Sequence, residues 1–183
     1  GIYGETLVEP KILLPQNAAC LRLPGIDGKA KMSKSLGNCI YLSEEAADLT
    51  KKVKGMFTDP NHIKVEDPGR VEGNVVFTYL DAFCKDEYFP KYWPEYNNLQ
   101  EVKDHYTRGG LGDMKVKKFL NAVLEEELSP IRERRKEFQK DIPYVYQILK
   151  EGSEKAREVA AQTLAEVRAD MKIDYFDNTE WIN

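Results

Sequence analysis

The chain changes character near position 43. Before it, apolar residues come in short runs, Thr6-Leu7-Val8 and Cys20-Leu21-Arg22-Leu23, cut by Pro10, Pro15 and Pro24. Such runs, broken by residues that cannot donate to a ladder, read as strand ends and loops. After position 43 the spacing turns to threes and fours. Ser43 offers an N-cap, Glu44 and Glu45 suit a first turn, and Ala46, Leu49, Val53 and Met56 fall on one face. Lys51, Lys52 and Lys54 lie off that face, and Thr58-Asp59-Pro60 should stop the helix. A loop at Glu66-Asp67-Pro68-Gly69 leads to an apolar helix carrying Val75, Val76, Tyr79, Leu80 and Phe83. A short helix around Leu99–Tyr106 ends at Gly109-Gly110. Asp113 can cap the next, whose apolar face is Val116, Leu120, Val123, Leu124 and Leu128. Pro130 should kink or break that helix, with Ile131 and Phe138 continuing its face. Pro143 suits the first turn of a last helix running to about Met171. On it, Val145, Ile148, Leu149, Ala156, Val159, Ala160, Thr163, Leu164 and Val167 are expected to be buried, and Gly152 marks a point where it could divide. No internal repeat or low-complexity segment appears. The pattern predicts a mainly α chain: a small non-helical stub over 1–42, a helical domain over 43–176 and a tail over 177–183.

Composition narrows the class. With 183 residues, 42% hydrophobic and 32% charged, the chain fits a globular fold of one large domain or a small one with an appendage. A formal charge of −4 argues against a general nucleic-acid binder but leaves room for a local basic face. No run approaches the roughly 18 apolar residues of a membrane span, no signal peptide is expected, and the reading is cytoplasmic. The chain opens on Gly1, which fits either a piece of a longer protein or loss of an initiator. Cys20, Cys39 and Cys84 are scattered without a Cys-x-x-Cys spacing, and read as reduced structural thiols. With only His62 and His105 beside them, no metal site is expected.

The chemistry concentrates in Lys31-Met32-Ser33-Lys34-Ser35. This stretch lies between Asp27-Gly28 and Leu36-Gly37-Asn38, with Gly25, Gly28 and Gly37 as hinges. Two ammoniums with three donors each, and two hydroxyls, suit a loop that closes over a polyphosphate. An ordinary basic surface turn is the alternative for a shorter Lys-x-Ser-Lys string. A second feature is the aromatic, proline-punctuated stretch from Lys85 to Asn98, with Tyr88, Phe89, Tyr92, Trp93 and Tyr96. It reads as an ordered connector packed on the domain, with a base-stacking platform as the alternative.

The five-residue loop followed by Leu36-Gly37-Asn38 resembles the signature loop of class I aminoacyl-tRNA synthetases. The likeness extends through Leu23-Pro24-Gly25-Ile26-Asp27-Gly28, Phe57-Thr58-Asp59-Pro60-Asn61-His62 and Glu72-Gly73-Asn74-Val75-Val76-Phe77. Gly109-Gly110-Leu111-Gly112-Asp113, Pro130-Ile131-Arg132-Glu133-Arg134 and Glu154-Lys155-Ala156 continue it. From about Tyr3 to Phe176 the chain resembles the C-terminal half of bacterial tryptophanyl-tRNA synthetases. The tyrosine enzymes share the loop but typically end in a different RNA-binding module.

The resemblance implies that residues 1–42 are the remnant of a Rossmann-like nucleotide-binding domain and 43–176 a helical anticodon-binding domain. It implies an enzyme that activates tryptophan with ATP and Mg²⁺, releasing pyrophosphate, and transfers it to tRNA(Trp). Lys31 and Lys34 would be catalytic, and Lys31, Met32, Ser33, Lys34 and Ser35 would bind ATP. Two basic clusters would contact tRNA: Lys115, Lys117 and Lys118, and Arg132, Arg134 and Arg135 with Lys136. A solvated helix face is the alternative for each. The family's His-Ile-Gly-His-type motif has no counterpart at His62 or His105, and the tryptophan pocket is absent. The expectation is therefore a chain inactive alone and homodimeric as the full-length enzyme, with no zinc or iron–sulfur cluster. The competing reading is a stand-alone, non-catalytic RNA-binding module.

Overall fold

A computed structural model describes residues 6–175. The chain divides into two compact units, residues 14–136 and residues 1–13 with 137–183. Phe176 and the tail over 177–183 lie outside the described residues. Among the described residues there is no β-strand; an isolated antiparallel bridge joins Pro24 to Lys31. The apolar runs of the first 42 residues, expected to be strand ends, are irregular chain at Thr6-Leu7-Val8 and the end of a short 3-10 helix (Ala18–Cys20) at Cys20-Leu21, without a sheet. A lone pair of short strands has too few neighbours to be stable.

The first unit is built from α1 (Ala46–Lys54), α2 (Val75–Phe83), α3 (Phe89–Tyr92), α4 (Leu99–Arg108) and most of α5 (Asp113–Gln139). Their apolar faces meet in one core. It holds Leu49 and Val53 of α1, Val76, Phe77 and Leu80 of α2, Tyr106 of α4, and Phe119, Leu120 and Val123 of α5. Phe89 is fully buried and Tyr88 nearly so, which makes the first half of the aromatic connector part of this core.

Capping sets the helix starts. Asn74 Oδ1 accepts from Val76 N–H at 3.1 Å, and Asn98 Oδ1 accepts from Glu101 N–H at 3.0 Å. Glu101 in turn accepts from Asn97 N–H at 2.8 Å, so both sides of that helix start are satisfied. Beyond α4 the chain needs Gly109, at φ +92°, because a Cβ there would lie 2.3 Å from the Glu66 carbonyl oxygen.

Several local expectations change. Ser43 does not cap α1. Residues 41–44 form a turn of their own, in which Glu44 Oε2 accepts from Tyr41 N–H at 2.9 Å. The helix therefore begins at Ala46, which is exposed, and it ends at Gly55, before Thr58. Pro130 does not break α5. The lost donor to Glu126 is tolerated because buried Leu128 and Arg132 anchor the helix on both sides of the proline.

The second unit contains α6 (Ile142–Asp170), capped by Asp141 Oδ1 accepting from Tyr144 N–H at 3.0 Å, with Pro143 in its first turn. Gly152 does not divide it. No residue of α6 is buried: Ile148, Leu149, Ala156, Val159, Ala160 and Leu164 are exposed, and Val145, Thr163 and Val167 are half-buried. Among the described residues its unit offers little beside it but the irregular segment over 6–13, which meets it where Thr6 Oγ1 donates to Asp170. One strand of chain cannot cover a 29-residue helix.

Candidate functional site

The Lys31–Ser35 loop is set by the hairpin-like turn before it. Gly25 N–H donates to Ala30 O at 2.7 Å and Met32 N–H to Leu23 O at 3.3 Å, closing the two arms around Asp27-Gly28. Tyr79 of α2 donates its hydroxyl to Pro24 O at 2.9 Å, and Phe57 N–H donates to Ile26 O at 2.9 Å. The base of the loop is thus fastened to the helical core. Met32 packs inward against that core.

Asn38 holds the arms together. Its side chain is buried, with Oδ1 accepting from Ser33 N–H at 2.8 Å and Nδ2 donating to Lys31 O at 3.4 Å and to Asp27 Oδ1 at 3.3 Å. The Lys29 N–H above all, with the Asn38 amide adding to it, holds the Asp27 carboxyl below its usual value. Gly25, read as a hinge, is instead a spacer: a Cβ would lie 2.1 Å from Asn38 Nδ2. Sequence reasoning singled out neither Asn38 nor Tyr79 as a site residue. The signal available was an amide beside Gly37, which identifies a turn but not its partners.

Beyond this pinned base, Lys31, Lys34 and Ser35 are exposed and Ser33 is half-buried. The Ser33 and Ser35 hydroxyls lie 2.9 Å apart. Neither lysine ammonium makes a hydrogen bond or ion pair among the described residues. Gly37, at φ +66°, has open space where a Cβ would sit. The arrangement offers two free cations and two adjacent hydroxyls at the tip of a fastened hairpin, a donor set suited to phosphate oxygens.

The basic clusters come apart. Lys117 is buried, and its Nζ donates to Lys54 O at 2.9 Å and Met56 O at 2.7 Å, so it closes the C-terminus of α1 instead of facing solvent. Its burial lowers its pKa, against the field of Asp113. Arg132 is also buried, bonded to Glu44 O at 3.1 Å and paired with Glu125. Both are corrected from tRNA contacts to internal struts. Lys115, Lys118, Arg134 and Arg135 remain exposed.

Lys115 and Lys118 flank a cleft of about 290 Å³ whose other walls are Tyr92, Trp93, Glu95, Phe119 and Ala122. The Trp93 ring is braced by Phe119 (centroids 5.3 Å apart) and edge-on by Tyr96 (4.8 Å). Tyr92 donates its hydroxyl to Glu126, which also holds Lys91 at 2.8 Å. The second half of the aromatic connector is therefore half-exposed and ordered.

His62 is a structural residue. Its Nδ1 lies 3.2 Å from Asp113 Oδ1, which also accepts from the Tyr106 hydroxyl at 2.6 Å, while Thr58 Oγ1 donates to Oδ2 at 3.0 Å. Asp113 thus ties the loop between α1 and α2, and α4, to the start of α5. No group of three His, Cys, Asp or Glu side chains able to hold a metal ion comes together among the described residues. No helix among them is long and apolar enough to cross a membrane.

A helical domain bearing this loop defines a class, and comparison bears it out. The family described as tRNA synthetases class I (W and Y) matches residues 3–129, and the chain belongs to it. Its relatives narrow the match to the tryptophan branch. A tryptophan–tRNA ligase of Clostridium longisporum is 66% identical over 178 residues, covering 97% of this chain and 49% of its own length. One from Streptococcus pyogenes serotype M1 is 55% identical over 174 residues, covering 95% and 49%. A solved tryptophanyl-tRNA synthetase from Campylobacter jejuni, complexed with ADP and tryptophan, superimposes with a TM-score of 0.65 at 26% identity. It covers 82% of this chain and 43% of that one. The chain spans about half the length of the curated relatives it matches.

Proposed function

We propose that this chain is the loop-bearing, tRNA-binding portion of a tryptophan–tRNA ligase, acting as part of the full-length enzyme. The observation that carries the reading is the hairpin tip at Lys31–Ser35, with two unpaired ammoniums on a base fastened by Asn38, Tyr79 and Phe57. In tryptophan activation the amino-acid carboxylate attacks the α-phosphorus of ATP and pyrophosphate leaves. Negative charge grows on the departing oxygens. An ammonium placed there stabilises the transition state more than the ground state. Lys34 and Lys31 fill that role, Ser33 and Ser35 orient the triphosphate by hydrogen bonds, and Gly37 gives the tip freedom to close.

Mg²⁺ commonly accompanies triphosphate chemistry. The loop presents cations and hydroxyls rather than carboxylates, and its nearest acid, Asp27, is engaged by Asn38 and the Lys29 N–H. These residues do not fit the metal, which would travel with the nucleotide. Lys115 and Lys118, with Arg134 and Arg135, supply exposed cations for the tRNA phosphates. We assign residues 1–42 to the nucleotide-binding domain and 43–176 to the anticodon-binding domain of a cytoplasmic, homodimeric enzyme. The stand-alone RNA-binding module is the weaker reading, because the relatives are ligases along nearly all of this chain.

The test is tryptophan-dependent exchange of labelled pyrophosphate into ATP. The full-length protein should catalyse it and the 183-residue chain should not rise above a no-enzyme blank. Exchange by the short chain would contradict the division of labour. Its absence from the full-length protein would remove the ligase reading.

A further inference from the structure

We propose that the cleft between Trp93 and the first turns of α5 takes a single unstacked, amino-bearing nucleobase from an RNA loop, cytosine fitting best, with Glu95 reading its exocyclic amine. The proposal rests on the tRNA-binding reading above and adds the place and chemistry of one contact.

The cleft's volume of about 290 Å³ sits at the lower end of ligand sites, which run from roughly 300 to 1,000 Å³, and so suits one base with its sugar. Its aromatic wall is pre-set. Trp93 is braced by Phe119 and Tyr96, and Tyr92 is fixed through Glu126, so a base that stacks there orders little protein. Lys115 and Lys118 stand three positions apart on α5, and neither side chain makes a hydrogen bond or ion pair among the described residues. Lys118 is free to take a flanking phosphate, and Lys115 to donate to the base.

Glu95 is the informative residue. It is the one acid on the cleft wall, it is exposed, and among the described residues it has no hydrogen-bond or ion-pair partner. A surface built only to attract phosphate gains nothing from a carboxylate beside two ammoniums. A surface that reads a base does. The carboxylate accepts from the N4 amine of cytosine, while a neighbouring ammonium donates to the adjacent N3 or O2. Uracil turns its O4 carbonyl to the same carboxylate and is repelled.

The experiment titrates the 183-residue chain with an RNA hairpin whose loop carries CCA, the complement of the tryptophan codon, and with hairpins bearing one base at a time changed to uracil. Wild-type protein should lose roughly tenfold in affinity for the uracil hairpin at one cytosine position. Glu95→Gln, whose amide can donate to O4, should erase that loss at that position only. Trp93→Phe should weaken all hairpins by a smaller and equal factor, and Lys118→Ala should reduce the salt slope without changing base preference. Glu95 is exposed, so its replacement leaves the fold intact, which circular dichroism checks. Binding that depends on Lys118 but keeps its base preference in Glu95→Gln would overturn the base pocket while leaving the tRNA reading standing. No hairpin binding at low salt would overturn both.

Discussion

Asn38 does more for the loop than either lysine beside it. Its amide group bridges Ser33 N–H, Lys31 O and Asp27, three points on two arms that are otherwise joined by few backbone bonds. Asn38→Ala should therefore cost about 1–3 kcal/mol in urea denaturation, the range for leaving buried partners unpaired. It should also speed tryptic cleavage after Lys31 and Lys34. Unchanged cleavage would mean that the arms hold without the amide.

Tyr79 gives the same base a pH signature. Burial pushes its hydroxyl up to about 12 from 10.0, and that hydroxyl donates to Pro24 O. The unfolded chain loses this proton first, so the stability it confers is complete below pH 10 and declines as pH rises toward about 12. Tyr79→Phe should flatten the alkaline fall in the urea midpoint across that window. An unaltered alkaline slope would place the titrating group elsewhere.

Helix existence was legible in the sequence because the apolar positions of α2, α4 and α5 recur every three or four residues. Their burial followed because those faces meet each other. What periodicity could not carry is whether a face has a partner. The α6 stripe from Ile148 to Val167 has the same spacing, yet none of it is buried, since the described residues of its unit include too little chain to cover it. Breakers were over-read for a related reason. Pro130 and Gly152 weaken a helix locally, but anchoring at Leu128 and Arg132, or a run of good helix formers around Gly152, outweighs them. Charge was the least legible property. Lys117 and Lys118 are neighbours in sequence, and the helix turns one onto the carbonyls of Lys54 and Met56 and the other to solvent. The aromatic connector divided the same way, with Phe89 in the core and Trp93 on a cleft. At this scale Gly152→Ala is informative. The site has open space around it and no special backbone angle, so alanine should raise helix stability by roughly 0.5–1 kcal/mol, read as a higher thermal midpoint. A lower midpoint would show that α6 bends there.

In the whole molecule, the loop and the basic-aromatic cleft belong to the same compact unit, residues 14–136, and share its core. The loop's stem leans on α2 through Tyr79 and on the chain after α1 through Phe57, and Lys117 of α5 closes the end of α1. The unit therefore presents the ammoniums of Lys31, Lys34, Lys115 and Lys118 on a single packed body. Residues 1–42 contribute Leu23, Ile26, Met32 and Ile40 to that body's apolar contacts. The proposed boundary at position 43 therefore runs between two parts that pack on one another. In the proposed reaction Lys34 acts where pyrophosphate departs, and single-turnover adenylation by the full-length protein isolates that step. Lys34→Ala should slow the chemical step by about 100- to 1,000-fold, matching roughly 2.7–4 kcal/mol for a lost charge-stabilising donor, with tryptophan affinity nearly unchanged. Weaker tryptophan binding with a normal chemical step would contradict it.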